Sequence, residues 1–410
     1  DAKNLSNTSS GDGITISGLP PGISGCAITG NAENGVVGGP LEVFAGNTIG
    51  FNGGHALWLE PNSVGRIAAD NLFSSPDQTI AVQGGIVGES AVWRAFPNVR
   101  RYLAGTSGIV YVQGAGTPVL TLSPGLRLEF PSASFGLRVG YTAAGGLKAD
   151  ALGGEPIVLT RDTNTASWAG LRFSDQTIDS ASYLKNCIYR SARSLYVADA
   201  SPMITDCTID SCTESGLTLT NSVSRVLRSR ITDNAVHGVS VSGGTPYLAS
   251  SLISGNAQCG VYCANDAKPV IGSVAGAGCN LSRNGTFALY NDGAQTIYAR
   301  ENAWGDDDSA GVAALIWDQV DDPSKGWVQF MPFVLGYVCG DANGDGVGNP
   351  GVADVTYLVA YLFRGGPPPP EIDAADVNND GAVRISDLAY LIAFLFRSGP
   401  APYCWEYGPS

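Results

Sequence analysis

The sequence predicts an all-β body of short stacked coils followed by a small α-helical module, and three observations lead there. A motif of about 22 residues recurs along much of the chain, a loop-and-helix unit is duplicated near its end, and turn formers are abundant while charges are few. Of 410 residues, 44% are hydrophobic, 15% are charged and 54 are glycine, a balance that supplies many turns and few solvated helix faces. The net charge of −14 repels phosphate backbones and anionic lipid, which argues against a nucleic-acid partner. Such acidity suits divalent cations where carboxylates are grouped. No apolar run reaches the roughly 18 residues of a membrane-spanning helix.

The stretch ITDNAVHGVSV sets Asn234, Gly238, Val239 and Val241 after Ile231. Ile209, Cys212, Gly216, Leu217 and Leu219 precede it by 22 residues, and Ile253, Asn256, Gly260, Val261 and Cys263 follow by the same offset. After an insertion the pattern returns as Leu281, Asn284, Ala288 and Leu289. Far upstream it reads Ile28, Asn31, Gly35, Val36 and then Ile49, Asn52, Ala56, Leu57, spaced by 21. Apolar and polar residues alternate over short runs, which is strand periodicity. One repeat cannot bury its own apolar face, whereas stacked copies set each Ile and Val above its equivalent in a continuous core. The recurrent Asn is expected at a bend in left-handed conformation, bonding the Asn of the next coil about 4.8 Å away. Cys212 occupies that column without an amide.

These residues resemble right-handed parallel β-helix repeats. Trp93, LTLSPGLRLEF from Leu120 and WAGLRF from Trp168 are similar to opening coils of that family, and ENAWGDDDSAG from Glu301 to its closing segment. The resemblance implies a first β-helix segment over residues 1–92 and a main β-helix over 93–335, ended by a capping segment whose Trp304 and Trp327 plug the last coil. The Asp306, Asp307, Asp308 run reads as a solvated loop. GISGCAITGN reads as coil sequence with no cap before it, and an open coil end is a sheet edge that invites pairing. The start at Asp1, without a basic-then-apolar leader, fits either a processed export product or a trimmed chain.

From Cys339 the character changes. DANGDGVGNPGVAD leads into VTYLVAYLFRGG, and DVNNDGAVRISD into LAYLIAFLFRSG, so that Asp354, Tyr357, Leu358, Phe363 and Arg364 recur 33 residues later as Asp387, Tyr390, Leu391, Phe396 and Arg397. Each loop precedes a run of helical apolar spacing. The second loop offers oxygens from Asp376, Asn378, Asp380 and Asp387, with Gly381 for the sharp turn and the Ala382 carbonyl as a further ligand. Alternating positions of a wrapped loop converge on one point, as a hard cation with six to eight oxygen ligands requires. The pair of loops resembles the dockerin family, which implies a dockerin-like module over residues 336–410 with two Ca2+ sites. By that resemblance the first site falls on Asp341, Asn343, Asp345, Val347 and Asp354, where two extra residues within GNPG displace the closing carboxylate. A Cys339–Cys404 bond would staple a module too small to rely on its core, and Pro367 to Pro370 form a stiff connector.

Nine cysteines with two histidines lack zinc-ligand spacings. We expect oxidised pairs and therefore a secreted, extracellular or cell-surface protein. Cys187 and Cys207, one coil apart, come within disulfide reach on stacking. Cys259, Cys263 and Cys279 flank the insertion GSVAGAG, and Cys26 is left over. Asn4, Asn7, Asn280 and Asn284 begin glycosylation-type triplets.

Many β-helix proteins cleave acidic polysaccharides, and dockerins dock such enzymes to cohesin-type partners. Both possibilities follow from the resemblances. The residues themselves argue against an enzyme. Hydrolysis needs two carboxylates facing the substrate, and lyase action needs a calcium cluster with a base. The repeats from Asn186 to Glu301 hold scattered acids and one histidine, His237. We therefore read a structural rod that self-associates end to end as a filament subunit, with a cohesin-like protein or a polysaccharide as the alternative partner.

Overall fold

The computed structural model describes residues 11–274, 276–306, 308–334, 339–344, 350–370, 372–402 and 404. Strands of two to six residues form wherever apolar and polar positions alternate, and those that pair do so in parallel. Among the described residues they build one long sheet of eleven strands and two of ten, with a two-stranded and a three-stranded sheet at the start. Consecutive strands enter different sheets, so the chain climbs one coil for every three strands. This is a parallel β-helix.

The eleven-stranded sheet runs from Ile14–Ile16 to Leu252–Ser254. Ile209, Ile231 and Ile253 pair in register along it and are fully buried, so the expected isoleucine column is present. The upstream copies lie one face away. Ile28 and Ile49 stack in the three-stranded sheet, while Val36 and Leu57 supply the eleven-stranded one. Downstream, Ile209 and Ile231 supply that sheet, and Leu217 and Val239 enter the next. The motif thus slips by one face near the short helix α1 (Pro61–Val64). The sheet does not break there, since Leu57–Leu59 pairs with Gln78–Val82 and that strand with Val99–Ala104. Ladder hydrogen bonds read backbone alone, so either strand of the motif can supply a rung.

The asparagine ladder is present with a correction. Asn234 Nδ2 donates to Asn256 Oδ1 at 2.9 Å, Asn256 Nδ2 to Asn284 Oδ1 at 3.0 Å, and Asn31 Nδ2 to Asn52 Oδ1 at 2.8 Å. The left-handed residue is the one before each Asn, namely Asp233 (φ 56°), Gly255 (φ 67°) and Arg283 (φ 58°). It makes the bend, which leaves the Asn free to aim its amide inward. Asn284 Nδ2 also bonds the carbonyls of Ile253 and Leu281, and Asn280 is buried, so neither offers its amide to a sugar. Asn4 and Asn7 lie outside the described residues.

The expected solenoid disulfides are absent. Cys187, Cys207, Cys212, Cys259, Cys263 and Cys279 are buried free thiols, and Cys26 forms no disulfide but donates to the Ser24 carbonyl. Stacked positions on parallel neighbours hold their Cβ atoms side by side at about 4.8 Å, beyond the roughly 3.5–4.5 Å that a disulfide prefers. These cysteines serve as small apolar core residues.

Helix α2 (Ser309–Ala314) precedes the closing strands Ile316–Trp317 and Val328–Gln329, its amides at Ala310 and Gly311 bonded by the Asp308 carboxylate. Asp308 is thus a helix cap, while Asp307 lies outside the described residues. Trp304 is buried against Phe330, but Trp327 is 52% exposed and plugs nothing, because its neighbour Val328 takes the inward position.

A separate core gathers Ala342, Leu358, Ala375, Val377, Leu388 and Leu391 around Cys339 and Cys404. Helices α3 (Val352–Arg364), α4 (Ile372–Ala375) and α5 (Ile385–Arg397) build it, and Cys339 and Cys404 are joined. The duplication is visible in detail. Tyr357 donates to the Pro368 carbonyl and Tyr390, 33 residues on, to that of Ala401.

Candidate metal centre

The loop ahead of α5 wraps inward because its amides bond its own carboxylates. Asp380 N and Gly381 N donate to the two oxygens of Asp376 at 3.0 and 2.8 Å, Asp380 N also to Asn378 Oδ1 at 2.9 Å, and Ala382 N to Asp380 Oδ1 at 3.2 Å. Gly381 takes φ 86°, a turn that a side chain would strain. Asp387, in the first turn of α5, accepts from Arg384 N at 2.8 Å and Asn378 N at 3.2 Å, which ties the loop's end to its beginning. Asp376, Asp380 and Asp387 each present an oxygen, and the three lie within 4.8 Å of one another.

Three carboxylates so placed repel one another. Burial, together with the charges of Asp376 and Asp380, pushes the Asp387 carboxyl up, against the backbone hydrogen bonds that pull it down. A divalent cation reverses that balance. The donor set is hard oxygen throughout, which fits calcium rather than a softer metal. Arg384 Nη1 reaches Asp380 at 3.3 Å but on an exposed edge, where it adds little.

The first loop repeats the closing arrangement. Asp354 accepts from Gly351 N at 2.7 Å and from Asn343 N at 3.3 Å, as Asp387 does from Arg384 and Asn378. Asp341 and Asp354 are buried. The expected ligands Asp345 and Val347 lie outside the described residues.

Sequence reasoning missed a second polar centre, on the outer face of the eleven-stranded sheet. Arg101 Nη1 bonds Glu129 at 2.6 Å and Asp162 at 2.7 Å, and Arg127 Nε bonds Glu129 at 2.5 Å. Paired charges inside strands otherwise poor in them were the available signal. His237 lies flat on Tyr262, with ring centroids 4.8 Å apart, and its Nδ1 accepts from Cys259 N at 3.3 Å. Burial lowers its pKa, which leaves a neutral ring engaged as an acceptor.

Comparison with known families agrees with this geometry. The family described as right handed beta helix region matches residues 158–312, and the dockerin type I domain matches residues 339–396. No curated protein and no solved structure gives a significant match. Type I dockerin domains bind calcium and dock to cohesin partners, and no described helix is long and apolar enough to cross a membrane.

Proposed function

For a chain that joins a right-handed β-helix region to a type I dockerin domain, we propose an extracellular, non-catalytic rod anchored through its calcium-loaded C-terminal module to a cohesin-type partner. The observation that carries this reading is the convergence of Asp376, Asp380 and Asp387 in front of α5. One ion is held by these three with Asn378 and the Ala382 carbonyl. A second is held by Asp341, Asn343, Asp345, the Val347 carbonyl and Asp354. Each ion neutralises its carboxylates and locks a loop to the helix that follows, so metal binding contributes directly to folding of the module.

The anchoring face is supported by exposed apolar residues at equivalent positions of the two halves. Val352 and Ile385 stand at the helix starts, Phe363 and Phe396 near the ends, all four more than half exposed. Apolar surface set out in this way suits a protein partner. The non-catalytic reading is supported by the engagement of the best acid-base candidates, since Glu129 and Asp162 are tied to Arg101 and His237 is stacked. Release of reducing or unsaturated sugar ends from polyuronates by the purified protein would overturn that part.

Dockerin-bearing proteins are typically extracellular or on the cell surface, which agrees with the export context expected from the sequence. The test is capture on an immobilised cohesin domain in millimolar calcium, with release by chelator. End-to-end self-association is the competing mode of attachment. Calcium-dependent sedimentation as chains of copies, without cohesin capture, would favour it over anchoring.

A further inference from the structure

On the outer face of the ten-stranded sheet that begins at Gly85–Val87, Tyr111, Arg138, Arg172 and Tyr196 are successive rungs of one column. Like charges directly opposite on neighbouring strands are destabilising. The chain has acids to spare, 37 against 23 basic residues, and nearby cations use them. Lys185 pairs with Asp150, Arg190 with Asp210 and Arg193 with Glu214. Among the described residues Arg138 and Arg172 make no ion pair or hydrogen bond, and Arg172 Nε is shut off from solvent without an acceptor. A buried donor left in that state is costly.

The surroundings are shaped for a ligand rather than for packing. The Arg172 guanidinium lies 4.5 Å from the Tyr196 ring, and that of Arg138 lies 4.9 Å from Tyr141 and 5.9 Å from Tyr111. Rings against the guanidinium faces leave the hydrogen-bonding edges as the means of recognition. A cavity of about 300 Å³ opens beside them. Gly136 and Gly170, in register two residues before the arginines, line it where side chains would otherwise stand. Gly170, at φ 95°, could not accept one, since a Cβ would fall 2.4 Å from the Ser194 carbonyl oxygen.

We infer that this trough binds a carboxylate-bearing ligand, its anion bonded by the Nη atoms of Arg172, since Nε is closed to solvent, and neutralising Arg138 alongside. The guanidinium fork matches a carboxylate. Arg193 and Glu214 at the rim pair with each other, which leaves Arg138 and Arg172 as the cations for the ligand. A peptide strand is disfavoured because both neighbours of these strands are already paired, leaving no sheet edge. A free organic acid and a sugar-borne carboxylate share the recognised chemistry.

The experiment follows the side-chain Nε resonance of Arg172 in the ¹⁵N-labelled full chain, with sodium D-glucuronate, sodium acetate and D-glucose at constant ionic strength. Glucuronate should shift the signal saturably and glucose should not. Arg138→Gln, with an unchanged strand signal in circular dichroism, should weaken glucuronate at least fivefold, and Arg172→Gln should abolish its binding heat in calorimetry. Acetate as effective as glucuronate assigns recognition to the free carboxylate. Tighter glucuronate assigns part of it to the ring. An unmoved signal, an equal response to glucose, or wild-type binding by both variants overturns the inference.

Discussion

Arg101 sits between carboxylates from two other coils, and the side chains of Arg101, Glu129 and Asp162 are only 15, 5 and 7% exposed. Burial alone would raise the Asp162 carboxyl, but hydrogen bonding and charge from Arg101, aided by Asn164 and the Thr163 amide, hold it below its ordinary value. A depressed carboxyl contributes stability that is fully present above its unfolded value of about 3.9 and is lost as pH falls through the folded value. Arg101→Met should reverse the sign, since Asp162 would lose its cation and Glu129 would keep only Arg127, which leaves buried carboxylates that favour protonation. We expect that variant to lose about 3 kcal/mol at neutral pH and to recover part of it near pH 4.5. Urea unfolding of the β-helix at the two pH values checks this, and a loss that grows on acidification would contradict it. Asp387→Ala acts on the other centre and should weaken calcium binding by at least about 10–100-fold, as read by calorimetry, while leaving the β-helix strand signal unchanged. The two centres differ in how far the sequence reveals them. The proposed calcium ligands stand at fixed loop positions within twelve residues, from Asp376 to Asp387, where local spacing alone implies convergence. The partners of Arg101 are 28 and 61 residues away, across coils whose irregular length hides the register.

The corner ladder shows what an element adds to its residues. Asn256 accepts from Asn234 through both the amide N–H of its backbone and Nδ2, and donates to Asn284 and to the Ile231 carbonyl. Removing the side-chain amide by Asn256→Ala strands the two Asn234 donors on one side and takes the Nδ2 donor from Asn284 Oδ1 and the Ile231 carbonyl on the other. An unsatisfied buried group costs about 1–3 kcal/mol, so the variant should lose about 2–4 kcal/mol, more than an exposed substitution such as Gln258→Ala two residues on. Chemical denaturation of the two variants side by side tests the difference. The ladder was legible because a polar residue recurring at coil spacing has few other uses. The place of the bend was not, since Asp233, Gly255 and Arg283 share no chemistry. Their common feature is a backbone angle, which residue types so different do not reveal. The slip of the motif by one face near α1 was hidden for a related reason. Val36 and Ile209 fill equivalent rungs of one sheet from different positions of the repeat, and burial accepts either.

At the scale of the molecule the apolar residues divide into two cores that share no member, one filling the β-helix and one confined to the helical module. A core is a cooperative unit, so two transitions are expected on heating. Their dependence on calcium and reductant should differ. Calcium binds the folded module alone, and at about 100 times its dissociation constant it adds roughly 2.7 kcal/mol by mass action. The Cys339–Cys404 bond closes 65 residues of the same module, worth about 4 kcal/mol by loop entropy. The thiols of the β-helix are already free and buried, so reductant has no bond to break there. Scanning calorimetry of the full chain should therefore show one transition that falls on chelation and falls further on reduction, and a second that neither treatment moves. If both move together, the module and the rod unfold as one body, and the end proposed to dock would then transmit its calcium state to the whole solenoid.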